Sequence, residues 1–394
     1  MTVTMNPTSG PHVFPKGFLS VAKNVGIRDD TLDFTMVYSE APCSAAAVFT
    51  QSCFAGAPIV VGREHIADGR LQAVVVNSKN ANVATGQQGI ANAREICALV
   101  AAELGIAPEE VFPSSTGVIG RQLPMDRIRT GIAGLRSELK PDNLEATARA
   151  IMTTDTRPKM RSLRVGDAVL FGMCKGAGMI EPNMATMLAY FYTDAQFSPE
   201  ELRELLRAAV HVSFNMISVD TDTSTSDTCA LLANGLAGAV DRAAFQEALT
   251  AMAIELAKDV ARDGEGATKL IEAQVRGARD EAQARKVAKA IINSPLIKTA
   301  VYGADPNWGR VAMAIGKNHE YADLDPERIQ IAFGPTVVYD GRDLGEDLLE
   351  AVQAYLQGDE AVIAVDLRLG AASATAWGCD LTEGYVEING KYST

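Results

Sequence analysis

The sequence predicts an α/β or α+β fold, and three observations carry that prediction. Short apolar runs of strand length alternate with stretches of helical periodicity. Helix starts and stops carry strong local signals, above all Ser198-Pro199-Glu200-Glu201. The last hundred residues read as β-rich with one helix.

In chain order, residues 72–76 (QAVVV) read as a buried strand, followed by the turn-rich Asn77-Ser78-Lys79-Asn80-Ala81-Asn82. A helix is expected over 87–104, stopping at Gly105. Residues 187–193 form a strand candidate. Ser198 then caps a helix, Pro199 suits its first position and Glu201 completes a capping box, while Leu202, Leu205, Leu206 and Ala209 fall on one face. A further helix is expected over 243–262, with Phe245, Leu249, Met252, Leu256 and Val260 at helical spacing, and another over 281–293. Residues 329–333, 336–339 and 361–367 read as strands, and 344–356 as an amphipathic helix. Breaks near 194–198 and 293–298 divide the chain into segments 1–194, 195–293 and 294–394. No repeat, low-complexity tract or long linker interrupts it.

The chain has 394 residues, with 36 Lys and Arg against 49 Asp and Glu, a formal net charge of −13. That balance argues against binding nucleic acid, which needs a basic surface, and against docking on anionic lipid. It leaves acidic substrates open, because a local field can oppose the net one. An apolar share of 47% argues against global disorder. No apolar run approaches the roughly 18 residues of a membrane span, and no signal-peptide core opens the chain, so a soluble cytoplasmic protein is expected.

Cys43, Cys53, Cys97, Cys174, Cys229 and Cys379 are widely spaced and form no CxxC pair. Small buried thiols in a reducing compartment are the expectation, with no disulfide framework and no metal site. The four histidines form no HExxH, and no P-loop or GxSxG is present. The run from Asp220 to Ser224 starts like an EF-hand loop, but Thr225 and Leu231 stand where Gly and Glu are needed, so it reads as a hydrogen-bonded turn.

Three further stretches combine glycines with polar groups. Lys175-Gly176-Ala177-Gly178-Met179 leads through Pro182 to Ala185-Thr186, and taken alone is a glycine turn entering a strand. Ser114-Ser115-Thr116-Gly117-Val118-Ile119-Gly120 sets hydroxyls and backbone N–H groups where an oxyanion could bind, and is equally a plain loop. Asp263-Gly264-Glu265-Gly266-Ala267-Thr268-Lys269 reads locally as a helix C-cap with a solvated Glu.

In combination these stretches are specific. With Asn80-Ala81-Asn82, the 151–156 run IMTTDT, the 183–188 run NMATML, the 224–228 run STSDT, the run KTAVYGADPNWGR ending at Arg310 and the C-terminal 385–394, the chain resembles the ornithine acetyltransferase (glutamate N-acetyltransferase) family of N-terminal-nucleophile enzymes nearly end to end. The resemblance implies the layered sheets and helices of that self-processing type. It implies cleavage between Ala185 and Thr186 into chains 1–185 and 186–394. It also implies acetyl transfer from N-acetylornithine to glutamate through an acetyl-Thr186 intermediate.

Freed Thr186 has an α-amine of ordinary pKa about 7.7–8.0, which can serve as base for its own hydroxyl, so no histidine is required. Thr116 and Gly117 match the family's oxyanion-hole positions. Thr153, Lys175, Thr186, Glu265, Asn389 and Thr394 match its substrate-binding positions, with either Thr153 or Thr154 supplying the hydroxyl. Lys175 suits an α-carboxylate and Glu265 an ammonium group. No cofactor is implied. Two self-derived chains are, assembled as two α and two β chains.

Lys79, Arg121-Gln122 and Glu181 depart from the pattern usual in arginine-pathway members and bring the chain closer to the paralogues found beside β-lactam-type antibiotic genes. The resemblance thus implies acetyl transfer and self-processing, with acetyl-CoA expected to be a poor donor. The rival readings are an N-terminal-nucleophile amidohydrolase or aminopeptidase with water as acceptor, and an acyltransferase acting on a related secondary metabolite.

Overall fold

The computed structural model describes residues 12–28, 30–181 and 187–391. The chain forms two compact units, each drawing on three stretches. Unit 1 takes Met1–Gly176, Pro182–Phe214 and Thr223–Leu256, and unit 2 takes Ala177–Glu181, Asn215–Asp222 and Ala257–Thr394. The expected break at 194 falls inside a strand of unit 1, and that at 293 just after a helix of unit 2.

Unit 1 is built on a mixed eight-stranded sheet of β1 (Phe18–Lys23), β2 (Phe34–Phe49), β3 (Arg70–Asn77), β4 (Val111–Ser115), β5 (Lys159–Val165), β6 (Ala168–Lys175), β7 (Leu188–Ala195) and β8 (Thr228–Gly238). The strand order is β4-β3-β2-β8-β7-β6-β5, with β1 beside β2. The apolar run in β3 has a simple cause. Val74 and Val76 enter one buried cluster with Phe112, Phe171, Tyr190 and Tyr192, while Ala73 and Val75 enter another with Ile96, Val100 and Ile128. A strand buried on both faces needs apolar residues at both parities. Two parallel pairings, β3 with β4 and β7 with β8, bring strand ends together at the polar turns described below.

Unit 2 carries a five-stranded sheet of β9 (Leu270–Ala278), β10 (Gln330–Phe333), β11 (Thr336–Asp340), β12 (Glu360–Asp366) and β13 (Ala372–Cys379), in the order β11-β10-β12-β9-β13. Helix Glu281–Ile292 packs on β9 and β13, burying Ala284, Val287, Ala288 and Ile291. Asp280 caps it by accepting the Gln283 N–H at 2.8 Å.

Most expected elements stand where their signals placed them. The capping box is complete, with Ser198 Oγ accepting from the Glu201 N–H at 3.2 Å and the Glu201 carboxylate accepting from the Ser198 N–H at 2.8 Å. Helix Gly86–Leu104 ends at Gly105 in the left-handed region, at φ 74°. The reading of one helix in the last hundred residues needs correction. Pro295–Tyr302, Trp308–Gly316, Leu349–Leu356 and Glu383–Asn389 are all helical. The NSPLIK segment is itself a helix start, with Ser294 accepting the Ile297 N–H and Pro295 in the first turn. The helix expected from 344 begins at Leu349, after a short 3-10 turn, because Gly345 sits at φ 105°. Among the described residues no disulfide joins the cysteines, all of which are buried except exposed Cys53. Among the described residues no helix is long and apolar enough to cross a membrane.

Candidate active site

The first group of site residues lies in unit 1, where strands end. β4 runs parallel to β3 with Ser115 opposite Asn77, so the turns after both strands lie side by side. Asn77 ties them together. Its carboxamide oxygen accepts from Ser115 Oγ at 2.5 Å, its Nδ2 donates to Asn80 O at 2.8 Å, and its carbonyl accepts the Thr116 N–H at 3.0 Å. Val118 N–H bonds Lys79 O, and Ala81 N–H bonds Val118 O. Gly117 is required here: its φ is 133°, and a Cβ would stand 2.2 Å from the Lys79 carbonyl carbon. The Thr116–Gly117 peptide is thus pressed against the 77–82 turn. Thr116 itself is buried.

Lys175 closes β6, opposite Leu188 of β7. Its ammonium donates to Thr153 Oγ1 at 3.3 Å, which singles out Thr153 over Thr154 as the hydroxyl beside it. The organiser of this corner is Asp155, which sequence reading left without a role although it sits inside the IMTTDT run. Its Oδ1 accepts from Lys159 Nζ at 2.6 Å and from the Gly176 N–H at 2.7 Å, and its Oδ2 accepts the Thr153 N–H at 3.1 Å. Burial pushes the Asp155 carboxyl up, but Lys159 and Lys175 outweigh it and hold the group below the usual carboxylate range. Lys79 reaches the same corner from a left-handed backbone, at φ 73°, and donates to Met152 O at 2.7 Å. Burial, with Arg28 and Lys175 nearby, lowers its pKa.

The second group lies in unit 2. Glu265 is 8% exposed, so the solvated-Glu reading of the DGEGATK stretch is overturned. Its carboxylate accepts from Asn389 Nδ2 at 2.7 Å, and its N–H donates to Ala177 O at 2.9 Å. Gly178 explains the second glycine of KGAGM: a Cβ there would lie 2.3 Å from Glu265 Oε2. Asn389 ends the helix Glu383–Asn389, which Thr382 caps while its hydroxyl donates to Gly266 O at 2.6 Å. Two groups nearby escaped the sequence reading of the site. Asp220 accepts the Met179 and Ile180 N–H groups at 2.6 and 2.7 Å, so its run is a hydrogen-bonded turn, as expected, and a brace for the KGAGM segment. Tyr385 Oη donates to Asp220 Oδ2 at 3.4 Å; burial first, then Asp220 and Glu265, pushes that phenol up to about 12.

Glu181 belongs to the same unit and is held by Asn293 Nδ2 at 2.8 Å, Ser218 Oγ at 3.0 Å and Lys289 Nζ at 3.3 Å. Ala185, Thr186 and Thr394 lie outside the described residues. A cavity of about 310 Å³ in unit 2, lined by Ile315, Tyr321, Leu324 and Tyr339 among others, contains none of the site residues.

Chemically, unit 1 offers ammonium groups, a hydroxyl and a glycine turn, which suit carboxylates and oxyanions. Unit 2 offers a buried carboxylate with an amide beside it, which suits an ammonium group. Comparison with known proteins places the chain in a family. Residues 20–394 match the ArgJ family, and the chain belongs to it. It is 52% identical to the arginine biosynthesis bifunctional protein ArgJ 2 of Clostridium acetobutylicum, over 97% of this chain and 98% of that protein. It is also 52% identical to the glutamate N-acetyltransferase Oat2 of Streptomyces clavuligerus, over 96% of this chain and 98% of that one. Among solved structures, an arginine biosynthesis bifunctional protein ArgJ from Bacillus halodurans is 44% identical, with a TM-score of 0.48, over 50% of this chain and 96% of that one.

Proposed function

We propose that the protein is a self-cleaving acetyltransferase that moves the acetyl group of N2-acetyl-L-ornithine to L-glutamate through an acetyl-threonine intermediate. Family membership over nearly the whole chain is the observation that carries the reading, and the hydrogen bond from exposed Asn389 to buried Glu265 and the Lys175–Thr153 contact support its site.

Cleavage begins when the Thr186 hydroxyl attacks the Ala185 carbonyl. The C–N bond breaks, the nitrogen takes up the proton the hydroxyl loses, and an ester links Ala185 to Thr186. Water hydrolyses that ester, leaving chains 1–185 and 186–394. In the transfer cycle the freed α-amine takes the hydroxyl proton as Thr186 Oγ1 attacks the acetyl carbonyl of the donor. The proton passes to the departing amine of ornithine, and the acetyl group stays on Thr186 as an ester. Glutamate's amine then attacks the ester, giving N-acetylglutamate and restoring the hydroxyl.

Thr116 and Gly117 receive the oxyanion. Because the Thr116 N–H is already donated to Asn77 O, its hydroxyl is the group it contributes, beside the Gly117 N–H. Lys175 and Thr153 bind the α-carboxylate, Glu265 and Asn389 an ammonium group, and Thr394 completes the set. The two chains assemble as two α and two β chains in the cytoplasm, serving amino-acid biosynthesis, with acetyl-CoA a poor donor. The experiment is direct. Purified protein is given N-acetylornithine and glutamate, with acetyl-CoA as a separate donor arm, and N-acetylglutamate is measured. Transfer from N-acetylornithine is expected. Release of acetate without N-acetylglutamate would contradict the reading and favour a hydrolase.

A further inference from the structure

Lys79 touches both halves of the unit 1 site, and the mechanism above gives it no task. Its main chain supports the oxyanion turn. Val118 N–H donates to Lys79 O at 3.3 Å, and a Cβ on Gly117 would stand 2.2 Å from the Lys79 carbonyl carbon. Its side chain reaches the other half. Lys79 Nζ donates to Met152 O at 2.7 Å, while Lys175 Nζ donates to Thr153 Oγ1 at 3.3 Å. Met152 and Thr153 are neighbours in the chain, so both ammonium groups converge on one turn. All these residues belong to unit 1.

The charges around this turn do not balance. Arg28, Lys79, Lys159 and Lys175 gather against two carboxylates, Asp33 and Asp155, in a chain whose net charge is −13. Asp155 is already paired with Lys159, and Asp33 accepts the N–H groups of Val25, Ile27 and Arg28. A further acid near Lys175, Asp227, is pushed well above the usual carboxylate range by burial, which favours its neutral form. Like charges brought together in a half-buried corner repel, and an anion between them relieves the repulsion. An ammonium also carries more N–H donors than Met152 O can engage.

We propose that Lys79 is a second binding residue for the substrate's α-carboxylate, which it holds together with Lys175. The proposal rests on the acetyltransferase reading, in which Lys175 and Thr153 take that group. In N2-acetyl-L-ornithine only Cα and the amide nitrogen separate the carboxylate carbon from the acetyl carbon. A carboxylate subsite must therefore lie close beside the oxyanion hole and keep its distance from it. Lys79 meets that need, because one residue props the Thr116–Gly117 turn with its main chain and reaches the Thr153 turn with its side chain. Its backbone lies in the left-handed region, at φ 73°, which glycine adopts freely and lysine does not. The ammonium is what a glycine in this place would lack. The rival role is structural: Met152 follows the helix Leu144–Ala150, and a lysine donating to a carbonyl there caps it.

The test compares N2-acetyl-L-ornithine with its α-carboxamide as donors for fully processed wild type, Lys79→Met, Lys79→Gly, Lys79→Arg and Lys175→Met. In a double displacement, kcat/KM for the donor reports the donor half-reaction, so the α-carboxylate of glutamate does not enter. Lys79→Met should lose on the order of tenfold in the preference for acid over carboxamide, nearly all of it through the acid. Lys79→Arg should keep most of the preference. Lys79→Gly should lose it as Lys79→Met does, with a melting temperature unchanged or raised, because glycine relieves the backbone.

A wild-type preference in Lys79→Met, beside a collapsed one in Lys175→Met, would overturn this inference alone. So would an equal loss on both donors with a lowered melting temperature, which assigns Lys79 to the helix cap. A wild type that takes both donors equally well has no carboxylate subsite, and the inference falls while transfer stands. If wild type moves no acetyl group from N-acetylornithine, the acetyltransferase reading fails and takes the inference with it.

Discussion

The two units hold their site residues by different means. In unit 1, Thr116 follows one strand and Lys175 ends another, and a buried ion pair between Asp155 and Lys159 fixes the corner between Thr153 and Gly176. In unit 2, Glu265 lies on a turn and Asn389 on a short helix, both placed by caps, glycines and single hydrogen bonds. The contrast separates stability from binding. Damage to the supports of the first group should unfold the protein, whereas damage to those of the second should loosen the site and leave the fold.

The largest expected effect follows from removing the charge of Asp155. Asp155→Asn removes the charge that faces buried Lys159, a change that costs about 3–5 kcal/mol when one partner of a buried pair is lost. Denaturant titration reads it, and Lys159→Met in the same chain should recover much of the loss. The pH dependence has a definite sign. The Asp155 carboxyl lies below its ordinary value in the folded protein, so the stability it supplies is present above about pH 3.9 and drains away as pH falls further. Asp155→Asn should remove that acid-side dependence. An unchanged midpoint would show that the corner needs no ion pair.

Next come the substrate charges. Lys175→Met and Glu265→Gln keep approximate size and remove charge. Each should lower kcat/KM for N-acetylornithine ten- to a hundredfold, matching about 1.5–3 kcal/mol for a hydrogen bond to a charged group. The comparison sharpens here, since Glu265→Gln should leave the melting temperature nearly unmoved. Only processed protein should enter the kinetics, because Lys175 precedes the scissile bond in the same turn-rich segment. Near-wild-type turnover in both variants would withdraw them from the site.

The smallest effect tests the local supports of unit 2. Thr382→Ala removes the cap of the helix that carries Asn389, worth about 1 kcal/mol in typical caps. It should raise KM several-fold with little change in denaturant midpoint. Global destabilisation instead would show that this helix is part of the unit's core.

The same contrast explains what could be read from sequence. Elements with local signatures were legible. The Ser198 capping box, the Gly105 stop and the apolar run of β3 each depend on a few neighbouring residues. Helix Pro295–Tyr302 carried the same Ser-Pro signal as Ser198-Pro199, but its NSPLIK context read as a break. Of the site, Lys175 and Glu265 were legible through combined motifs, yet the local reading of Glu265 as a solvated C-cap failed. The groups that bury it, Gly178 and Asn389, lie 87 and 124 residues away in sequence. Asp155 and Asp220 were hidden for the same reason: each is defined by partners on other strands and turns.

The central claim is that Thr186 is freed by the chain itself and then carries the acetyl group. Intact mass and N-terminal sequencing of purified wild type and Thr186→Ala, alongside the transfer assay, test it most directly. Wild type should give two chains, the larger beginning Thr-Met-Leu-Ala, and Thr186→Ala should stay full length and transfer no acetyl group. Full transfer activity in an uncut wild-type chain, or in Thr186→Ala, would contradict it.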